Sequence, residues 1–291
     1  MCGIGAIDPD ASRLVSQLVQ IMQLRSDAEP GRILLVHTDR VDLQDNRHED
    51  LRLRSEPEEP LQVHNRSEDP SVSRAPQFVS EPGLELAFFH ANENLDDDEL
   101  ILDLMRLSHA VLHHAQPPGY LLIHGALIEY EKQGFLLAGP GGEGKSTASR
   151  RIPPPWQAYS DDATLLVRDS CGGFWAHPWP TWSDFFYGGK GGSWDVQFAL
   201  PLKAIFFINQ ADQDQTQVTG EGEAVCLLLE VVEQASRIAD REMDVQESRD
   251  SNLMRFEVIT QLAKGIPCFK LGMTRTGAFW HEIERVCHLD P

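Results

Sequence analysis

Apolar positions change period several times along the chain, and each change predicts an element. Leu14, Leu18, Ile21 and Met22 recur at helical spacing behind Asp10, whose carboxylate suits an N-cap, so residues 11–24 are predicted to form an amphipathic helix. Residues 1–5 read as a strand or a loose end. Ile33-Leu34-Leu35-Val36 marks a strand over residues 32–37, and residues 84–90 repeat the pattern. A second helix is predicted over 98–115, largely buried through Leu100, Leu102, Leu104, Met105, Leu107 and Leu112. The acidic run Asp96-Asp97-Asp98 complements the positive end of that helix; it lacks the glycine turn and distal glutamate of a calcium loop. His109, His113 and His114 suit its negative end.

After Pro117-Pro118-Gly119, two apolar strands over 120–130 and 135–138 are joined by Glu131-Lys132-Gln133-Gly134, which predicts an antiparallel hairpin. Setting Tyr130 against Phe135 places Leu127 opposite Ala138 and His124 opposite Gly141. A short helix over 146–152 is cut off by Pro153-Pro154-Pro155, and a short strand follows over 156–160. Residues 202–209 read as a buried strand, and 223–238 and 253–263 as core helices.

Residues 39–82 break this regularity with mixed charge, Pro57, Pro60, Pro70, Pro76 and Pro82, and few large apolar side chains. They read as a linker or long insertion between an N-terminal α/β segment, 1–38, and a main domain, 83–291. The 45 acidic residues outnumber the 25 basic ones, and a net charge of -20 argues against nucleic acid or an anionic membrane face as partner. No run approaches the roughly 18 to 20 apolar residues of a membrane span, so a cytoplasmic location is expected. The five cysteines are scattered, with no C-x-x-C pair to suggest a disulfide framework or thiolate zinc site. The opening Met1-Cys2-Gly3-Ile4-Gly5 is similar to the start of glutamine amidotransferases with an N-terminal cysteine nucleophile, but so short a match carries no assignment.

The chemistry concentrates at Gly139 to Ser146, which fits the P-loop pattern G-x-x-x-x-G-K-[ST] between a strand and a helix. Gly139, Gly141, Gly142 and Gly144 let backbone N–H groups turn toward a phosphate, Lys145 brings a point charge to the β/γ-phosphates, and Ser146 offers Mg²⁺ a hydroxyl. Thr147 completes the candidate nucleotide-binding set, and the helix beginning there adds its positive end. The alternative is a glycine-rich surface turn with a chance Lys-Ser. His124 is the one ionisable residue between Leu121 and Ile128, and the inferred register sets it beside the phosphate loop; otherwise it is a hydrogen-bonded core histidine. Asp161-Asp162 follows so soon after Lys145 that a helix going out and a strand returning bring the pair alongside the loop.

His124-Gly125, Gly139 to Ser146 and Asp161-Asp162 with Ala163-Thr164-Leu165-Leu166-Val167 together resemble the serine kinases of the phosphocarrier protein HPr, whose nucleotide-binding core is shared with the ATP-dependent phosphoenolpyruvate carboxykinases. Ile266-Pro267-Cys268-Phe269-Lys270-Leu271 and Phe279-Trp280-His281-Glu282-Ile283-Glu284 look like the closing strand and helix of HPr-kinase-like proteins found beside small peptides, the SynChlorMet cassette member in particular. The resemblance spans about residues 98–289. It implies an α/β mixed-sheet P-loop core with a smaller N-terminal α/β region, ATP and Mg²⁺ as ligands, and self-association. By the same likeness Lys145 holds phosphates, Ser146 and Asp162 hold the metal, Asp161 takes the proton of an attacking hydroxyl, and His124 orients that acid. HPr kinases carry a metal-binding Glu stretch and an Arg-bearing loop after the Asp pair. Here the corresponding region reads Ala176-His177-Pro178-Trp179-Pro180-Thr181-Trp182-Ser183-Asp184 with no such Arg loop, which argues against HPr as substrate.

The span from His177 to Trp194 holds three tryptophans, Trp179, Trp182 and Trp194, with Phe185, Phe186, Tyr187 and the run Gly188-Gly189-Lys190-Gly191-Gly192-Ser193. This segment reads equally as a lid over nucleotide or peptide and as a loop above an aromatic mini-core. Arg237, Arg241, Arg249 and Arg255 read as a solvated mixed-charge stretch, and His281-Glu282 with His288 misses the H-E-x-x-H spacing. The expected activity is Mg²⁺-ATP-dependent phosphoryl transfer to a serine hydroxyl of a protein or peptide, with peptide-modifying enzymes as further partners. The rivals are a catalytically weak ATP-binding partner of a peptide-modification system and an enzyme with metabolite substrates, as in the carboxykinases, for which no second-substrate cluster stands out.

Overall fold

The computed structural model describes residues 2–6, 9–24, 32–37, 62–64, 77–81, 84–91, 97–115, 119–186, 194–240 and 245–289. The chain divides into two compact units, Met1–Gln116 with Arg241–Asp244, and Pro117–Asp240 with Val245–Pro291.

In the first unit the apolar runs pair into a five-stranded sheet. Its strands are β1 (Cys2–Ala6), β2 (Arg32–His37), β3 (Gln62–His64), β4 (Gln77–Glu81) and β5 (Leu84–His90), in the order β1-β2-β5-β4-β3. The first three positions of that order are parallel and the rest antiparallel. Helix α1 (Pro9–Ile21) buries Ala11, Leu14 and Leu18, as its 3.6-residue stripe requires. Helix α2 (Asp97–Ala115) buries Leu104, Leu107 and Leu112 and exposes Asp97 and Asp98 in its first turn, where they meet the positive helix end. Near its other end His109 Nδ1 lies 2.8 Å from the Met105 carbonyl, a bond within the helix. Strands β3 and β4 fall inside 39–82, the segment read as a linker or insertion.

The second unit carries an eight-stranded mixed sheet. Its strands are β6 (Leu121–Tyr130), β7 (Gln133–Ala138), β8 (Gln157–Ala158), β9 (Ala163–Arg168), β10 (Phe174–Pro178), β11 (Leu200–Gln210), β12 (Gln215–Val218) and β13 (Cys268–Met273). They run β10-β9-β6-β7-β11-β13-β12, with β8 also on β6. Strands β7, β11 and β13 are mutually parallel, and β6, β9, β10 and β12 pair antiparallel with their neighbours. Because β10 also pairs with the start of β11, the strands β6, β7, β11, β10 and β9 close a ring.

The central strands are buried on both faces, so they read as continuous apolar runs rather than alternations. Leu136, Ile205 and Phe207 face a core shared with Leu228, Val231 and Val232 of α5 (Glu221–Asp240) and Ile259 and Leu262 of α6 (Val245–Gly265). Phe135, Leu137, Phe206 and Ile208 face the other way, onto Ala148 of α3 (Lys145–Arg151), Trp156, Phe279 and Ile283 of α7 (Trp280–Cys287).

The hairpin differs in register from the expectation. Tyr130 pairs with Gln133, and Gly125 with Ala138, because the turn is only Glu131-Lys132, both with positive φ of 50° and 61°. His124 therefore stands opposite Gly139 rather than Gly141, and the Gly139 N–H donates to the His124 carbonyl at 3.4 Å.

His177, on β10 opposite Leu165, supplies a pH prediction. Burial holds its imidazole below the ordinary histidine range of 6.5. The unfolded chain therefore takes up a proton that the folded chain resists, and stability falls as pH drops from the unfolded pKa toward the folded one. Urea midpoints measured at about pH 7.5 and about pH 5.5 should fall more steeply in the wild type than in His177→Gln. Equal falls would remove this residue from the acid limb.

Candidate functional site

Strand β7 ends at Ala138, and the chain turns through Gly139–Gly144 into α3. Gly142 and Gly144 hold φ of 89° and 99°, conformations that residues with a Cβ rarely adopt. Gln210, the last residue of β11, ties the turn down: its N–H donates to Glu143 Oε2 at 3.2 Å and its side-chain amide to the Gly142 carbonyl at 3.1 Å.

Lys145 is only 5% exposed, and its Nζ donates to the Gly139 and Pro140 carbonyls at 2.8 and 2.9 Å. Burial pulls its pKa down to about 8, partly opposed by the charges of Asp162 and Glu143. The ammonium therefore sits inside the loop, desolvated and within the field of Asp162 and Glu143. Ser146 Oγ donates to the main-chain oxygen of Asp161 at 3.3 Å, and Thr147 is exposed on α3.

The acidic pair sits on a bend fixed by a buried hydroxyl cluster. Of the expected strand, Gln157–Ala158 pair in register with β6, and Tyr159 and Ser160 continue the contact through backbone hydrogen bonds to Leu127. Ser160 Oγ then accepts the Leu127 N–H at 3.0 Å and meets Thr164 Oγ1 at 3.0 Å; Thr164 in turn donates to the Gly125 carbonyl at 2.9 Å. Since Thr164 spends its proton on Gly125, Ser160 is the donor between the two hydroxyls.

From this bend the two carboxylates point to different partners. Asp161, 7% exposed, accepts a hydrogen bond at Oδ1 from Thr181 Oγ1 at 2.7 Å, and Thr181 accepts one from Trp194 Nε1 at 2.8 Å. Its Oδ2 lies 3.7 Å from the Arg150 guanidinium, whose side chain is 77% exposed. Asp162 Oδ1 lies 3.2 Å from His124 Nε2, and His124 Nδ1 lies 2.9 Å from Gln234 Oε1 on α5. The His124 hydrogen bond is the main reason the Asp162 carboxyl falls below its ordinary range, and the Lys145 charge adds to it against the cost of burial. With a carboxylate facing it, Nε2 carries a proton.

His124 thus orients Asp162, not Asp161 as expected. The cause is register: β6 and β9 pair His124 with Ala163, so the residue just before Ala163 lies beside the ring. Arg150 and Gln234 carry no motif that marks them in the sequence, whereas Thr181 and Trp194 fall in the aromatic segment that reads as a lid or a mini-core. Asp161, Thr181, Arg150, Ser149, Ala158, Asp184 and Trp194 line a cavity of about 210 Å³. Of the proposed lid, residues 187–193 lie outside the described residues.

Among the described residues no three His, Cys, Asp or Glu side chains have metal-binding geometry. Ser146 and Asp162 offer a hydroxyl and a carboxylate, a donor set that suits Mg²⁺, which keeps most of its shell as water and substrate phosphate. The open backbone of the turn also fits a polyphosphate, because a Cβ built at Gly141 or Gly142 would meet nothing within 4 Å. Elsewhere Arg255 forks onto Asp240 at 2.7 and 2.8 Å, and Glu282 accepts from Thr216 and Arg285, so these charges serve packing.

Fold and site together define a mixed α/β protein in which a P-loop-patterned turn, between a central strand and a short helix, lies against an acidic bend. The family model described as SynChlorMet cassette protein ScmC matches residues 89–288, and the chain belongs to that family. No curated protein matches the chain. No described helix is long and apolar enough to cross a membrane.

Proposed function

We propose that the protein is an HPr-kinase-like, Mg²⁺-ATP-dependent kinase that phosphorylates a serine hydroxyl of a peptide or protein handled by its cassette. The observation that carries this reading is the placement of a desolvated Lys145 beside an acidic bend whose carboxylates serve two directions. Phosphoryl transfer asks a protein for positioning, charge neutralisation and one base near the nucleophile. Lys145 has charge at hand that exchanges its two loop carbonyls for phosphate oxygens. When bound, Mg²⁺ supplies charge neutralisation, with Ser146 and Asp162 as its protein donors. His124 keeps the Asp162 carboxylate ionised and aimed. Asp161, buried but open to a cavity, receives the proton of the entering hydroxyl.

A second reading, an ATP-binding partner with little turnover, draws support from the same atoms. The Lys145 ammonium is satisfied by its own loop, and Asp161 is already engaged by Thr181 and Arg150. ADP release measured with and without the peptide encoded in the cassette separates the two. The kinase predicts peptide-dependent ADP release and phosphoserine on the peptide, both reduced about 10²- to 10⁴-fold by Asp161→Asn with ATP binding retained. ATP binding with no turnover in either protein would favour the partner, and no ATP binding at all would remove both readings.

A further inference from the structure

The cavity beside Asp161 points to the kind of group that enters it. One wall is the Asp161 carboxylate, whose Oδ1 is occupied and whose Oδ2, among the described residues, meets only Arg150, 3.7 Å away on a largely solvated side chain. An ion pair of that length and exposure is worth little and yields to an incoming group. Trp194 donates to Thr181, and Thr181 donates to Asp161, so a chain of two hydrogen bonds sets which carboxylate oxygen faces the space. Both bonds run one way: the indole is a donor only, which leaves the threonine proton for the carboxylate. At about 210 Å³ the cavity is smaller than the roughly 300–1,000 Å³ of ordinary small-molecule sites, so it admits one short side chain rather than a large metabolite.

We propose that this cavity is the acceptor subsite, taking a serine side chain of an extended peptide, with Thr181 as the positioning residue that turns Asp161 Oδ2 toward the serine hydroxyl. The inference rests on the kinase reading for the role of the subsite, but its occupancy is testable without nucleotide. The serine hydroxyl donates to Asp161 Oδ2 in place of the Arg150 contact. Arg150, which also lines the cavity, then turns its largely solvated guanidinium to the peptide backbone.

The test follows the indole N–H resonance of Trp194 in ¹⁵N-labelled full-length protein, identified by its loss in Trp194→Phe. N-acetyl-L-serinamide should shift it saturably with a millimolar dissociation constant, as expected of so small a ligand, and N-acetyl-L-alaninamide should not. Thr181→Val, which keeps the shape and removes the hydroxyl, should weaken serinamide binding about 10-fold or more, and Thr181→Ser should restore it. A merely structural threonine would not be rescued in this selective way while urea midpoints of the two variants agree. Ala158→Phe, which fills the cavity from β8, should abolish the shift. Equal shifts with both amides, no saturable shift, or full affinity in Thr181→Val would overturn the proposal. ATP uptake followed by calorimetry reports separately: uptake without a serinamide effect removes the subsite alone, and a serinamide effect without uptake removes the kinase and leaves a hydroxyl site.

Discussion

Lys145→Met should lose nucleotide binding while leaving the fold as stable as the wild type or more so. The opposite signs come from one fact, the burial of an ammonium that is 5% exposed. Lowering its pKa from 10.5 to about 8 corresponds to about 3 kcal/mol of unfavourable free energy at neutral pH. Methionine has similar length and no charge, and the loss of hydrogen bonds to the Gly139 and Pro140 carbonyls costs about 1 kcal/mol each. The balance lies near zero or on the stabilising side. ATP at a hundredfold excess over its dissociation constant should stabilise the wild type by about 2.7 kcal/mol and leave the variant unchanged. Thermal unfolding with and without Mg²⁺-ATP reads both effects, and a variant stabilised as much as the wild type would remove Lys145 from the phosphate site.

Phe206→Ala should cost about 3–5 kcal/mol, the largest stability loss expected of a single change in the second unit. Phe206 is fully buried at the middle of β11, between β7 and β13, and stacks on Phe269 with centroids 5.1 Å apart. Its removal leaves a cavity that strands hydrogen-bonded on both sides cannot collapse. A loss of that size approaches the whole stability of many domains. Phe256→Ala on α6, where the side chain is 51% exposed, is the control and should change the urea midpoint little. Similar losses for the two would mean that β11 is not the centre of the core.

The reach of the sequence follows from how local each determinant is. Strands β7 and β11 were legible because burial on both faces writes an uninterrupted apolar run. Strand β12 was not, since Gln215, Thr216 and Gln217 on a sheet edge carry no such pattern. The hairpin itself was legible, but its register depended on Glu131 and Lys132 adopting positive φ, to which neither residue is inclined. At the site, Gly139 to Ser146 and the acidic pair stood out because each is a contiguous motif. Thr181 reaches Asp161 from 20 residues away and Gln234 reaches His124 from 110, with Trp194 behind Thr181, and only the folded chain brings them there. The one-residue error over which acid His124 touches has the same origin: it turns on β6–β9 pairing, which no local pattern reveals.

Neighbouring α-carbons stand about 3.8 Å apart, so the divergence of Asp161 and Asp162 makes a single peptide unit the partition between two environments. On the Asp162 flank stand Lys145, His124 and the glycine turn; on the Asp161 flank stand Thr181, Trp194, Arg150 and Asp184. Under the proposed function, mutation can redraw the second set while sparing the first. Descendants of such a protein could then drift toward new clients without relearning how to grip their fuel.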